Sequence, residues 1–444
     1  MALMRTVVLL ATSIAATSVV RAQSTECAPA RAQLLGAQAT LIGQRLQPLR
    51  SPYAGAMSLR ADGDRQLSQS YGAYGGLCIG GGLDVYLDAE MVRGSGISHA
   101  SGLGAVTNGD VLRQGSVDLG SAPYVARVFA RWTIGLRGAE RDTLTRATDQ
   151  RPTSVPARRV EVQAGKFALS DLFDVNRYAN SGRTQFLNWV LFQNGAWDFA
   201  ADTRGYTLGA AVSWITPAFT VRAASAEMPR FANGNTFDGD VSKARGDEIE
   251  LTLPLSCGAI VRMLAWQNRA RMGRYATATA RGDSTRTTPD IVADDAPGRQ
   301  KSGFGINAEM PLADAGETGV FARWGWSDGK NESFAFTEVD RHASVGGQVS
   351  GTRWSRSDDR FGAAFALDGL SADHRAYLAA GGRGFLLGDG RLNYGPEQLI
   401  EAYYAARMSR GITVSPDVQY VRNPGYNRDR GPATVLTARV RAAW

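Results

Sequence analysis

Histidine and cysteine are almost missing from this 444-residue chain, with three of each, and the chemistry they serve is missing with them. His99, His342 and His374 fall in separate segments, so a Ser-His-Asp arrangement has no local support. Cys27, Cys78 and Cys257 show neither CxxC spacing nor a neighbouring histidine, which excludes a compact metal motif. In an oxidising compartment two of them can bridge and one is left over. Long apolar runs are lacking too: past the first 22 residues nothing approaches the roughly 18 to 20 continuous apolar residues of a membrane helix. So are charge blocks. The formal +7 arises from 49 basic and 42 acidic residues spread along the chain, with no Lys/Arg cluster interleaved with aromatics, and nucleic acid is not an expected partner. No P-loop lysine follows the glycines at 80–82 or at 94 and 96, which are explained as turns. Neither an enzyme nor a cofactor is expected.

Glycine is abundant, at 51 residues, and 44% of the chain is apolar. That combination suits many strands joined by tight turns and does not suit a disordered polymer. At the start, Arg5, the apolar stretch Val7 to Val20 and Val20-Arg21-Ala22 make a secretory leader with cleavage expected after Ala22. The residues before Cys27, Ser24-Thr25-Glu26, are not an apolar lipobox, so lipid attachment there is not expected.

From about residue 54 onward, segments of roughly 9 to 13 residues alternate apolar and polar with period two, the pattern of strands with two different faces. Sixteen are counted, at 54–62, 70–80, 83–92, 123–137, 158–168, 203–215, 218–228, 244–254, 258–269, 302–312, 316–328, 358–368, 374–387, 397–409, 411–422 and 433–444. The connections nearly alternate between short and long, as up-and-down strands with periplasmic turns and extracellular loops require. The exception is the polar stretch 138–157, which falls where a short turn belongs.

The alternation assigns each face. Leu436, Ala438, Val440, Ala442 and Trp444 share one side of the last segment, while Thr437, Arg439 and Arg441 share the other. An arginine against lipid near the bilayer midplane costs roughly 2–4 kcal/mol, so the arginines must face inward. The same argument turns Arg127, Phe129 and Arg131 in and Val128, Ala130, Trp132 and Ile134 out, and it turns Asp84, Asp88, Glu90, Glu248 and Glu250 in. Arg262 is ambiguous, because Leu264 and Trp266 share its face. A soluble sandwich also alternates; strand lengths near the 9 to 11 residues of a tilted membrane strand and the recurring inward arginines speak against it.

The expected fold is therefore all-β, a transmembrane antiparallel up-and-down barrel of about sixteen strands with a short N-terminal extension. The expected division is a leader at 1–22, a periplasmic or plug segment at 23–52, in which Cys27 to Gln38 can form a short helix, and the barrel at 53–444. Candidate pore-lining residues are Glu90, Arg127, Phe129, Arg131, Asn188, Trp189, Arg222, Arg323, Glu401, Tyr403, Arg439 and Arg441. Guanidinium forks and carboxylates exchange hydrogen bonds with sugar hydroxyls, and an aromatic face stacks on a sugar's C–H face. The segment from Asp171 to Asp202 is too aromatic for a solvated loop. It is expected to fold into the barrel mouth and narrow the pore, with packing as a lid or against the rim as the alternative.

Several motifs extend the reading: Ser51-Pro52-Tyr53-Ala54-Gly55, Asp171-Leu172-Phe173-Asp174-Val175-Asn176, Gln185-Phe186-Leu187-Asn188-Trp189, Ala201-Asp202-Thr203-Arg204-Gly205-Tyr206, Glu401-Ala402-Tyr403-Tyr404 and Asn423-Pro424-Gly425-Tyr426-Asn427. In their order and coverage the chain resembles the carbohydrate-selective porins of the OprB family. The resemblance implies a sixteen-stranded outer-membrane barrel with an arginine- and acid-lined constriction that passes monosaccharides such as glucose in a Gram-negative bacterium. Small sugars, outer-membrane lipid against the apolar face and the barrel assembly machinery, reading the alternating tail that ends in Trp444, are the expected partners, with the protein a monomer or trimer. A general or weakly anion-selective pore, a barrel enzyme at the rim and a plugged structural barrel are the competing readings.

Overall fold

The computed structural model describes residues 33–110 and 119–444; the expected leader at 1–22 and Cys27 lie outside the described residues. Sixteen strands close into one antiparallel barrel. They are β1 (Leu34–Leu46), β2 (Asp64–Gly80), β3 (Leu83–Gly94), β4 (Tyr124–Gly135), β7 (Arg159–Phe167), β8 (Thr207–Ile215), β9 (Thr220–Glu227) and β10 (Arg245–Pro254). The second half comprises β11 (Ile260–Met272), β12 (Ala296–Ala313), β13 (Thr318–Ser327), β14 (Arg341–Ser350), β15 (Arg360–Gly369), β16 (Glu397–Ser409), β17 (Ile412–Arg422) and β18 (Ala433–Ala443). A separate hairpin, β5 (Arg141–Leu144) and β6 (Thr153–Pro156), stands outside the wall. β1 pairs with both β2 and β18, so no sheet edge is left and the ladder satisfies the wall's backbone groups internally.

The two faces separate as the alternation requires. In β18, Leu436 and Val440 are 45% and 41% exposed on the outside, while Arg439 beside them is 1% exposed within. Arg262 also faces in, its guanidinium 3.2 Å from Glu309, and Leu264 and Trp266 on its face are buried under an inserted segment. Apart from the connection between β4 and β7, connections are short at one end and long at the other. The short end holds Gly80–Gly82, whose φ angles of 111°, 60° and 83° only glycine adopts readily, and the turns at 216–219, 255–259, 314–317 and 410–411. Taking this end as periplasmic places the chain terminus there as well. Cys78 is disulfide-bonded and Cys257, in one of these turns, is free and exposed.

Four expectations need correction. Residues 54–62 form turns, and the first strand is 34–46, within the stretch expected to stand outside the barrel; Leu34 to Gln38 is strand, not helix. Its inward face carries Leu34, Ile42 and Leu46, buried under inserted loops, and this erases the apolar–polar contrast that marks a pore-facing strand. Residues 374–387 are not a strand, since Ala372–Ala379 is helical, with the Ser371 side chain accepting from the His374 N–H as N-cap. The missing strand is instead 341–350, which makes 351–359 the short turn, 370–396 the long loop, and the direction of β15 the reverse of that expected.

Candidate functional site

The long connection between β7 and β8 folds into the barrel. Phe173, Tyr178, Phe186, Leu187, Trp197 and Phe199 are buried there, so the barrel interior provides the cover their apolar area demands. The segment is riveted to the wall. Arg323 donates from Nε to Asp174 (3.0 Å) and from its Nη groups to the carbonyls of Leu191 (2.9 Å), Ala179 (2.7 Å) and Asp174 (3.1 Å). Glu401 accepts from the N–H groups of Leu187 and Asn188, and Arg439 donates to the carbonyls of Gly182 (2.8 Å) and Gln185 (2.7 Å). Asn188 donates to Gln419 (3.1 Å) and caps the short helix Trp189–Phe192. Arg222 donates to the Leu172 carbonyl (3.1 Å), and Tyr403 bonds Gln348 while meeting Phe186 edge-on at 5.0 Å. Of these six residues expected to line the pore, Arg222, Arg323, Glu401, Tyr403 and Arg439 are turned inward as the alternation requires and brace the inserted segment, while Asn188 belongs to that segment and ties it to the wall at Gln419.

The segment fills the side of the lumen bounded by β10 to β18 and leaves space next to β1 and β4. A second inserted segment, 95–110, narrows that space: Thr107 donates to Gln44 (3.0 Å) and Asn108 to Ser68 (3.0 Å). Between these segments and the wall lies a cavity of about 360 Å3 lined by Arg127, Arg183, Arg204 and Arg441, by Asp110, Asp149 and Asp171, and by Trp189, Phe192 and Tyr206. Towards the short-turn end it meets, at Arg183 and Arg441, a second cavity of about 310 Å3 bordered by Arg360, Arg407 and Asp358. Guanidinium donors, carboxylate acceptors and ring faces thus converge at one narrow place.

Ion pairs set its shape. Arg183 bridges two carboxylates, with Nη1 2.6 Å from Glu90 and Nε 2.6 Å from Asp110. Glu90 also accepts from the hydroxyls of Tyr206 (2.8 Å) and Tyr124 (3.1 Å). Arg127 spans Asp88 and Asp171, each at 2.7 Å, and lies 5.0 Å above the Tyr206 ring. Arg131 forks onto Gln163 beside Phe129, which stacks on Tyr86 at 4.9 Å. Arg441 donates to Gln38 (2.7 Å), with no carboxylate paired to it among the described residues. Of the twelve candidates, Arg127, Trp189 and Arg441 border the main cavity, Glu90 and Arg131 contact it through the lining residues Arg183 and Asp149, and Phe129 packs beside Arg131. Arg183, Asp110, Arg204 and Tyr206 were not among the candidates. Arg183 and Asp110 sit on inserted connections, where period-two alternation carries no signal; Arg204 and Tyr206 fall in the expected strand 203–215 but lie just before β8, which begins at Thr207.

The histidines are structural neighbours of this region. His342 has Nδ1 2.7 Å from Asp368 and Nε2 3.1 Å from Ser344, the order of a hydrolase triad. All three are buried, and a Cβ on Gly195 would stand 3.1 Å from His342 Nδ1, so backbone covers the ring and no substrate reaches it. In the long loops, His374 stacks on Tyr275 at 4.1 Å and points Nδ1 at Asp340 (3.0 Å), with Glu338 3.7 Å from Nε2. Burial disfavours the imidazolium, but the Asp340 and Glu338 carboxylates outweigh it and hold His374 above its ordinary value of 6.5. Burial works against the Asp340 carboxylate likewise; His374 and Lys301 overcome it and hold Asp340 below the usual range. The His374 contribution is complete below pH 6.5 and is lost as pH rises through the raised value; that of Asp340 is lost only in strong acid. Protease cleavage within 370–396 is therefore expected to quicken in alkali, and His374→Gln should flatten that profile. An equal pH dependence in both proteins would discard the clamp.

Among solved structures, the high-pH structure of Pseudomonas putida OprB is similar at 15% identity and a TM-score of 0.63, covering 93% of this chain and 94% of that one. Salmonella typhi OmpF in complex with daunomycin is similar at 11% identity and a TM-score of 0.50, covering 94% and 100%. At such identities the likeness speaks for the barrel alone. No curated protein matches the chain. The model of the carbohydrate-selective porins, OprB family, matches residues 90–443, and by that match this chain, a closed barrel, belongs to the OprB family.

Proposed function

We propose that this outer-membrane carbohydrate porin passes monosaccharides such as glucose by passive diffusion, and that Arg127, Arg183 and Arg441 present the donors that ease hydroxyl groups through the narrow zone. One observation carries the reading: the main cavity combines four arginines, three aspartates and three aromatic rings in about 360 Å3. A neutral polyol leaving water finds both donors and acceptors there, along with a ring face for its C–H side. Lipid meets the outward face of the wall, and the strand ending at Trp444 is the segment offered to the assembly machinery. In a planar bilayer, the purified protein should give a steady conductance that falls as monosaccharide is added. A second reading has its own support in the lower cavity, where Arg183, Arg360, Arg407 and Arg441 face the single acid Asp358. If sugars leave the current untouched while small anions compete, the pore is weakly anion-selective and the sugar assignment fails.

A further inference from the structure

The polar stretch 138–157 occupies a place where an up-and-down barrel needs only a tight turn. β4 and β7 are already aligned for one, because the Leu136 N–H donates to the Arg158 carbonyl at 2.8 Å. Instead the chain leaves the wall, forms the β5–β6 hairpin and returns. A connection this long on the short-turn side calls for a function.

The hairpin is tied to the barrel on three sides. Arg146 donates to the carbonyls of Leu35 and Trp444, where β1 meets β18. Arg151 is buried, pairs with Asp84 at 3.0 Å, and donates its backbone N–H to the Tyr86 hydroxyl oxygen at 3.3 Å. Gln150 accepts from Arg131 at 2.7 Å, and Asp149 lies 3.8 Å from the same guanidinium. The hairpin thus crosses the short-turn opening beneath the sector that the inserted loop leaves free. Ala147, Thr148 and Asp149 line the main cavity together with Arg127, Asp171 and Arg183.

We propose that the 138–157 hairpin is a periplasmic arm that completes the constriction from below, with Thr148 setting its width and Asp149 supplying the acceptor that faces the arginines. The extracellular segments close three sides of the narrow zone and the arm closes the fourth. Asp149 offsets part of the cationic field of Arg127, Arg131 and Arg183, and turns a run of donors into a donor–acceptor pair across the gap. The part assigned to Asp149 in hydroxyl recognition rests on the sugar-passage reading; the part assigned to width does not.

Three variants test it in planar bilayers and liposome swelling. Replacing residues 137–157 by Asn-Gly, a two-residue turn that fits antiparallel neighbours, should raise conductance in KCl at least about twofold and admit sugars larger than those the intact protein passes. Thr148→Trp in the full-length chain should lower conductance by about half or more, and it decides the matter alone if the shortened protein does not assemble. Asp149→Asn should move the permeability ratio towards anions and raise the sugar concentration needed for half-block. Unchanged conductance in Thr148→Trp, or in an assembled hairpin-free barrel, overturns the arm. If sugar never affects the intact protein and these variants still alter ion conductance, the sugar reading falls and the arm stands.

Discussion

Replacing Arg323 with alanine is expected to raise single-channel conductance severalfold while the barrel still assembles. The Arg323 side chain has no exposed surface and donates to the Asp174 carboxylate and to three carbonyls of the inserted segment. Removing one partner of such a buried pair costs about 3–5 kcal/mol, because the other charge is left uncompensated. Asp174 keeps the N–H of Asn194 (2.8 Å) and the amide of Asn307 (2.8 Å), too little to balance a carboxylate in a closed site. The wall does not depend on this contact, since its ladder closes through main-chain bonds from β1 to β18. Strain therefore falls on the segment 168–206, which is held by rivets and not by the sheet. Lifting it would open the side of the lumen along β10 to β18, seen as larger and noisier current steps and as protease cleavage within 168–206 in intact vesicles. Pairing the change with Asp174→Ala should cost less than the sum of the two single changes, because the stranded carboxylate disappears. A variant with native conductance and a protected segment would show that the aromatic packing alone holds the loop.

The wall was legible because lipid and lumen impose opposite demands on successive residues, and the legibility fails where that contrast fails. From Leu436 to Ala442 in β18, Leu, Ala and Val alternate with Thr and Arg, and the reading from sequence matches the burial. In β14 the alternation is present but of low amplitude: the outward set is Ala343, Val345, Gly347 and Val349, and Gly346 weakens the inward one. The stretch His374 to Leu387 imitated a strand through its spaced apolar residues, although Ser371 as cap and Asp373 in the first turn were helix signals. The two misplaced strands cancelled in the count, which is why sixteen survived while one strand direction did not. For the site, the inward sense of the arginines followed from periodicity, but their division of labour did not. Whether a guanidinium ends in open water or against a carbonyl depends on where a loop from elsewhere comes to rest, as Arg439 does on Gly182 and Gln185. The polar stretch 138–157 showed only that something other than a turn was there.

Arg183→Ala is expected to shift ion selectivity strongly towards cations, and this separates the constriction from its scaffolding. Arg183 borders both cavities and neutralises Glu90 and Asp110, whose side chains are 1% and 4% exposed. With the guanidinium gone, Glu90 keeps two tyrosine hydroxyls and Asp110 keeps Ser70 Oγ, so both acids stay charged only by presenting that charge to the water-filled gap. At an effective dielectric near 20, a unit charge about 10 Å from a passing ion contributes roughly 1.7 kcal/mol, which screening at about 0.1 M salt brings to roughly tenfold in relative permeability. Reversal potentials across a KCl gradient read this directly. Arg183→Lys should keep the selectivity, because the charge remains. It should still weaken the effect of sugar, because a single ammonium cannot hold two carboxylates in a fixed fork while offering a donor to a hydroxyl. Arg323→Ala, by contrast, should enlarge the current with a much smaller change in reversal potential. An unmoved reversal potential in Arg183→Ala would take this guanidinium out of the ion path, and with it the narrow zone assigned to Glu90 and Asp110.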